Sequence, residues 1–220
     1  MSKISPFTIA GLFLAFFGPL LILIPFQIFA PGPLTNTVVI FRELLLFLMA
    51  GLLILLVIKG EKLDLNSIGL NNRHWGKSFL WSLVLLLLFF VVLIGCLGLF
   101  KLTGIKYGQG DHKYDKISLW VMTLMMLRAG IVEEVFYRGY IMERLNKISN
   151  KWPVYLLLPS IIFGLLHYKQ GIGGIIIATA SGILFSCFYW KKRDLKINIM
   201  AHFMADFIPN ILIPVIMGNS

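Results

Sequence analysis

Charge is what this sequence has least of. Of its 220 residues only 14% are Asp, Glu, Lys or Arg, and just 10 are acidic. A water-soluble domain carries roughly 25%. Disordered chains and coiled coils depend on such charge, so its shortage argues against both. Cysteine is almost missing too. Cys96 and Cys187, the two there are, fall inside apolar runs and read as small core residues, not as a disulfide or metal pair. No internal repeat or low-complexity tract is visible, which removes collagen and repeat arrays. What is abundant is apolar surface, with 58% hydrophobic residues and a mean hydropathy of +0.86. These figures leave a polytopic membrane protein.

A bilayer core about 30 Å thick takes about 20 apolar helical residues to cross. The predicted spans are Phe7–Ala30, Val38–Ile58, Ser78–Phe100, Ile117–Tyr140, Trp152–Tyr168, Ile172–Trp190 and Ile197–Met217, about seven with a range of six to eight. The runs are continuous and do not alternate, which favours helices over a barrel. The expected fold class is therefore all-α, a polytopic transmembrane helix bundle. The first run follows Lys3 and has no small-residue cleavage site after it, so it is expected to be a retained span and not a removed signal peptide.

Basic residues orient such a bundle. With the N-terminus inside, thirteen Lys and Arg fall on the cytoplasmic side, among them Lys3, Lys59, Arg138, Arg144, Arg193 and Lys196. Five fall outside, namely Lys101, Lys106, Lys113, Lys116 and Lys169. The predicted N-terminus is cytoplasmic, and the net charge of +10 has the same explanation. Nucleic acid is not an expected partner, since no loop exceeds about 20 residues and no basic-aromatic platform is present. The lipid bilayer is. The polar stretch Lys59–Lys77 reads as a cytoplasmic loop with a short amphipathic segment around Leu63–Leu70. Residues 1–116 form a predicted transmembrane scaffold, and residues 117–220 a transmembrane core that holds nearly all the suggestive chemistry.

An ionised side chain at mid-bilayer costs roughly 2.5–3.5 kcal/mol on insertion scales, so the few such residues carry the information. Glu133 and Glu134 are adjacent in an apolar helix and point about 100° apart, so they cannot share one role. Glu134 lies four residues before Arg138, the spacing of a good ion pair. Glu133 has no in-register base of its own, lies near the small residues Ala129 and Gly130, and reads as a working carboxylate. Phe163 and His167 share one face of the next span. His202 and Asp206, also four apart, form a pair that could ligate a metal, orient the imidazole, or simply hydrogen bond. Glu, His, His and Asp on late spans are the ingredients of metal- or acid-activated water chemistry. With Arg138 at the cytoplasmic interface, Glu133 and His202 lie about 7–8 Å below it. His167 joins them if the fourth helix runs on to about Asn146, with a bent or re-entrant segment near Gly171–Gly174.

The ordered set Glu133-Glu134-x-x-x-Arg138, Phe163-x-x-x-His167 and His202-x-x-x-Asp206 resembles the CPBP family, which covers CAAX prenyl proteases and Abi-type bacteriocin-processing or immunity proteins. The resemblance spans roughly residues 128–209. It implies an intramembrane endopeptidase open toward the cytoplasm, acting on membrane-associated peptides or proteins. Carried onto this chain, Glu133 would activate water with help from His167. His202 and Asp206 would hold the carbonyl oxygen or, with His167, a divalent metal such as zinc. Glu134 and Arg138 would support the site. The family has been described both as metal-dependent and as metal-independent. Its last motif commonly ends in Asn, and Asp206 departs from that; an ionised Asp donates no hydrogen bond. A small Lys-, Ile- and Asn-tolerant chain points to a bacterial plasma membrane, and so to processing of bacteriocins or peptide signals, or to self-immunity. Two other readings of the same residues are a non-catalytic immunity or sensor-regulating protein and a proton-coupled transporter.

Overall fold

The computed structural model describes residues 4–30, 32–108, 114 and 116–217. Lys3 and Lys113, both counted for orientation, lie outside the described residues. Seven main helices follow in order: α1 (Pro6–Phe29), α2 (Asn36–Gly60), α3 (Trp75–Thr103), α4 (119–149), α5 (Pro153–Leu165), α6 (Tyr168–Lys192) and α7 (Leu195–Ile216). Among the described residues there is no strand. Local signals set the starts. Ser5 and Thr35 accept hydrogen bonds from Phe7 and Val38 at the first turns of α1 and α2, and Asp194 caps α7 through the Lys196 amide.

Five helices, α1, α2, α3, α6 and α7, are long and apolar enough to cross a membrane. The other two predicted spans are helical but different in kind. α4 is long and charged, running on to Ser149 as the depth argument required, and α5 is short. After α5 the chain turns through Tyr168–Gln170 and resumes as α-helix at Gly171, whose φ of +74° is open only to glycine at low cost. This break falls where a bend was expected.

The bundle hides little and exposes much, as a lipid-facing protein does. Phe13, Leu48, Leu87 and Ile94 all point outward. Cys187 is also exposed, so it is not the core residue expected of it, while Cys96 is half-buried. The interior is continuous across the chain. Ala15, Ala50 and Leu53 share one apolar core with Val132, Tyr137, Phe163 and Tyr189.

At one end, polar side chains lock the loop after α2 onto the bundle. Arg144, almost wholly buried, grips both carboxylate oxygens of Glu61 at 2.6–3.1 Å and donates to the Ser67 carbonyl at 3.1 Å. Thr8 and Tyr140 add hydrogen bonds to Glu61 at 2.7 and 2.9 Å. Tyr140 fits only because α1 has Gly11 opposite; a Cβ there would stand 2.0 Å from its hydroxyl oxygen. Nearby, Lys196 donates to the Asn71 and Arg73 carbonyls at 2.8 and 2.7 Å. Ser78 donates to Asp194 at 2.5 Å. The polar stretch is thus an ordered clamp, built around a single short turn at Leu65–Ile68.

Burial pushes the Glu61 carboxyl up, but hydrogen bonds from Arg144, Thr8 and Tyr140 outweigh it and hold the group below its ordinary 4.5. Its stabilisation is therefore complete above pH 4.5 and is lost as pH falls through the lowered value. Glu61→Ala strands Arg144 and is expected to cost about 3–5 kcal/mol, measured by thermal unfolding in detergent. The variant should also lose part of the wild-type fall in stability over that acid window.

Candidate active site

The site grows from an irregularity in α4. At 3.6 residues per turn, residues five apart point about 140° away from each other. Between Ala129 and Glu133, however, α4 makes a π turn with i→i+5 hydrogen bonding, a form that recurs at functional sites. The wider turn brings Arg128 and Glu133 onto one side, with Nη1 to Oε1 at 2.7 Å. The expectation that Glu133 has no base in register is therefore overturned, because the helix is not ideal where it matters. Val135–Met142 continues the wide winding.

Glu134 is fully buried, and its oxygens are shared among three donors. Arg138 Nη1 lies 2.6 Å from Oε1, His202 Nδ1 lies 2.8 Å from the same oxygen, and Asn198 Nδ2 donates to Oε2 at 3.2 Å. The expected Glu134–Arg138 pair thus forms. Arg138 also donates to the Gly182 carbonyl at 3.2 Å and lies over the Phe163 ring at 4.9 Å. It is 2% exposed, so its charge is enclosed by protein. α4 continues eleven residues beyond it.

α5 supplies the second imidazole. Gly164 lets α5 press onto α6, since a Cβ there would meet the Thr179 side chain at 1.9 Å and its backbone nitrogen at 2.9 Å. That contact seats Phe163 in the core, with His167 at the end of the helix. His167 Nδ1 is 2.8 Å from the Phe163 carbonyl. A carbonyl only accepts, so Nδ1 carries the hydrogen and Nε2 is the available nitrogen. The Phe163 ring lies 4.8 Å from the His167 ring and 6.2 Å from that of His202.

α7 supplies the third group. Glu134 fixes His202 at Nδ1, which leaves Nε2 facing Oδ2 of Asp206 at 3.6 Å and Oε2 of Glu133 at 4.0 Å. The two adjacent glutamates therefore meet one imidazole at different nitrogens. A cavity of about 330 Å³ is lined by Glu134, Arg138, His167, His202 and Asp206, with apolar walls from Phe89, Phe163, Ile177 and Phe185. Glu133 is not among the lining residues and stands beside the cavity at the His202 ring. Among the described residues no three His, Cys, Asp or Glu side chains converge as a metal cage. His167, His202 and Asp206 as placed do not fit a zinc ion.

The inner end of the cavity is closed by buried Glu134, Arg138 and Phe185. Its exposed lining is Leu97, Tyr107, Gln170, Pro209 and Asn210. These lie at the helix ends remote from the basic clamp. A clamp in the cytoplasm and a site open toward the cytoplasm cannot both hold, so the two expectations conflict on this geometry.

Four participants were not singled out in the sequence as site groups: Arg42, Glu43, Arg128 and Asn198. Glu43 is fully buried on α2 and accepts from Arg128 Nε at 2.5 Å and from Arg42 at 2.6 Å. A signal was there to find, since each is a polar residue in an apolar run, and Asn198 is one turn from His202.

The helical bundle and a family comparison together support a membrane protein of the peptidase class. A family model described as Rce1-like, type II CAAX prenyl endopeptidase, matches residues 115–208, the stretch that holds all three motifs. That match supports the CPBP, or CAAX protease, family over that stretch. No curated protein and no solved structure matches the chain.

Removing one partner of a buried pair costs about 3–5 kcal/mol. Arg138→Ala is accordingly expected to lower the thermal unfolding temperature of the detergent-solubilised protein sharply. Ser186→Ala, which removes a 3.4 Å contact to Arg138 and a 3.2 Å contact to Ser160 but leaves the Glu134–Arg138 pair intact, should lower it by less.

Proposed function

We propose that the chain is an intramembrane endopeptidase that hydrolyses peptide bonds with a water activated by Glu133. The observation that carries this reading is the meeting of His167, His202, Glu134 and Asp206 around one cavity inside apolar helices, with Glu133 beside it 4.0 Å from the His202 ring, where polar groups are costly. Glu133 takes a proton from water as the water oxygen attacks the scissile carbonyl carbon. That proton passes from Glu133 to Nε2 of His167 and on to the leaving amine as the C–N bond breaks. His202 Nε2–H faces the developing oxyanion, and Asp206 donates beside it in its protonated form. Glu134 keeps the His202 ring in place from the other nitrogen. The apolar cavity excludes bulk water, which strengthens each of these interactions.

The substrates in this reading are peptides or membrane-associated proteins with an apolar segment that suits the cavity walls. The biological setting is a bacterial plasma membrane, with bacteriocin or peptide-signal processing or self-immunity as the role. No metal is required. A zinc-dependent form would need His167, His202 and Asp206 to draw together.

The test is cleavage of a membrane-associated peptide by the purified protein in proteoliposomes. Glu133→Ala and His167→Ala are each expected to lower kcat by about 10²–10⁴, and undiminished cleavage by both would overturn the proposal. Asp206→Asn, which can donate, should keep more activity than Asp206→Ala, expected to lose about 10²–10³. Activity is expected to survive chelation; loss on chelation with recovery on adding zinc would establish the metal-dependent form instead.

A further inference from the structure

Glu43 lies outside the three motifs and outside the matched residues 115–208, yet it is fully buried and bonded at both oxygens. Oε1 takes Arg42 Nε at 2.8 Å and Nη2 at 2.6 Å, and Oε2 takes Arg128 Nε at 2.5 Å. Arg42 is in turn held by the Tyr114 hydroxyl at 3.0 Å. Arg128 has its other end on Glu133, Nη1 to Oε1 at 2.7 Å. The result is a chain of alternating charge, Arg42–Glu43–Arg128–Glu133, with no net charge, running from α2 to the site.

Apolar side chains of similar volume would join two helices as well as a buried ion pair does. What ions add is direction. A guanidinium is a rigid planar fork. With its Nε fixed by Glu43, its Nη1 can present only one way, and Glu133 is bound there by Oε1. Oε2 is then the oxygen left facing Nε2 of His202, at 4.0 Å. Without Glu43, Arg128 has no second anchor and the rotation of the Glu133 carboxylate is no longer set.

We propose that Glu43 is a positioning residue for Glu133, acting through Arg128, so that the scaffold half of the chain sets the geometry of the catalytic carboxylate. This rests on the reading of Glu133 as the base. Misplacement of a reacting group by about 1 Å can cost about 10²-fold, so Glu43→Gln is expected to lower kcat at least about tenfold with KM within about twofold. In an Arg128→Gln background the same change should add less than about twofold, because its route is already cut. Arg42→Gln combined with Glu43→Gln keeps the network neutral and serves if the single variant folds poorly; the same fall in kcat is expected. Wild-type kcat in either folded variant would overturn the proposal, as would a loss independent of the Arg128 change. Glu133→Ala separates the two ideas. If it leaves cleavage intact, the base assignment fails; if it abolishes cleavage while Glu43→Gln does not impair it, only the positioning role fails.

Discussion

Inside hydrocarbon a charge has no water to fall back on, and every ionised group must find its counter-charge within the protein. The architecture around α4 follows from that constraint. Arg128, Glu133, Glu134 and Arg138 all lie on one helix, and α2 and α7 are held against it by the partners those charges require: Glu43 from one side, His202 and Asn198 from the other. Apolar packing fills the bundle, but apolar contacts alone do not fix register against lipid of the same character. The ion pairs do, and they do it where the chemistry is.

The same constraint accounts for the unusual winding. Two acids at adjacent positions cannot both face the bundle interior of a regular helix. Loosening α4 at Ala129–Glu133 lets Glu133 turn to Arg128, while Glu134 keeps its i,i+4 pair with Arg138 and both approach one imidazole. The cost of poorer backbone geometry is offset by two satisfied carboxylates.

Much of this was legible in the sequence. Continuous apolar runs gave the helices, and i,i+4 spacing gave the Glu134–Arg138 pair and the His202–Asp206 face. The need for His167 to meet the others called for a long α4 and a bend after α5. What could not be read depended on departures from ideal geometry or on contacts between distant segments. Arg128 was invisible as a partner of Glu133 because helical arithmetic at 3.6 residues per turn sets them apart. Glu43 lies 85 positions from Arg128, and no periodicity connects them. The direction of the cavity mouth depends on which helix ends leave space between them, and residue type says nothing about that.

The form of the cavity also limits the shape of a substrate. Its inner end is stopped by Glu134, Arg138 and Phe185, and its exposed lining is at the opposite end. At about 330 Å³, near the small end of ligand pockets, the recess has room for a short terminus or the tip of a bend and no more. An occupant of that size would enter from the end lined by Leu97, Tyr107, Gln170, Pro209 and Asn210.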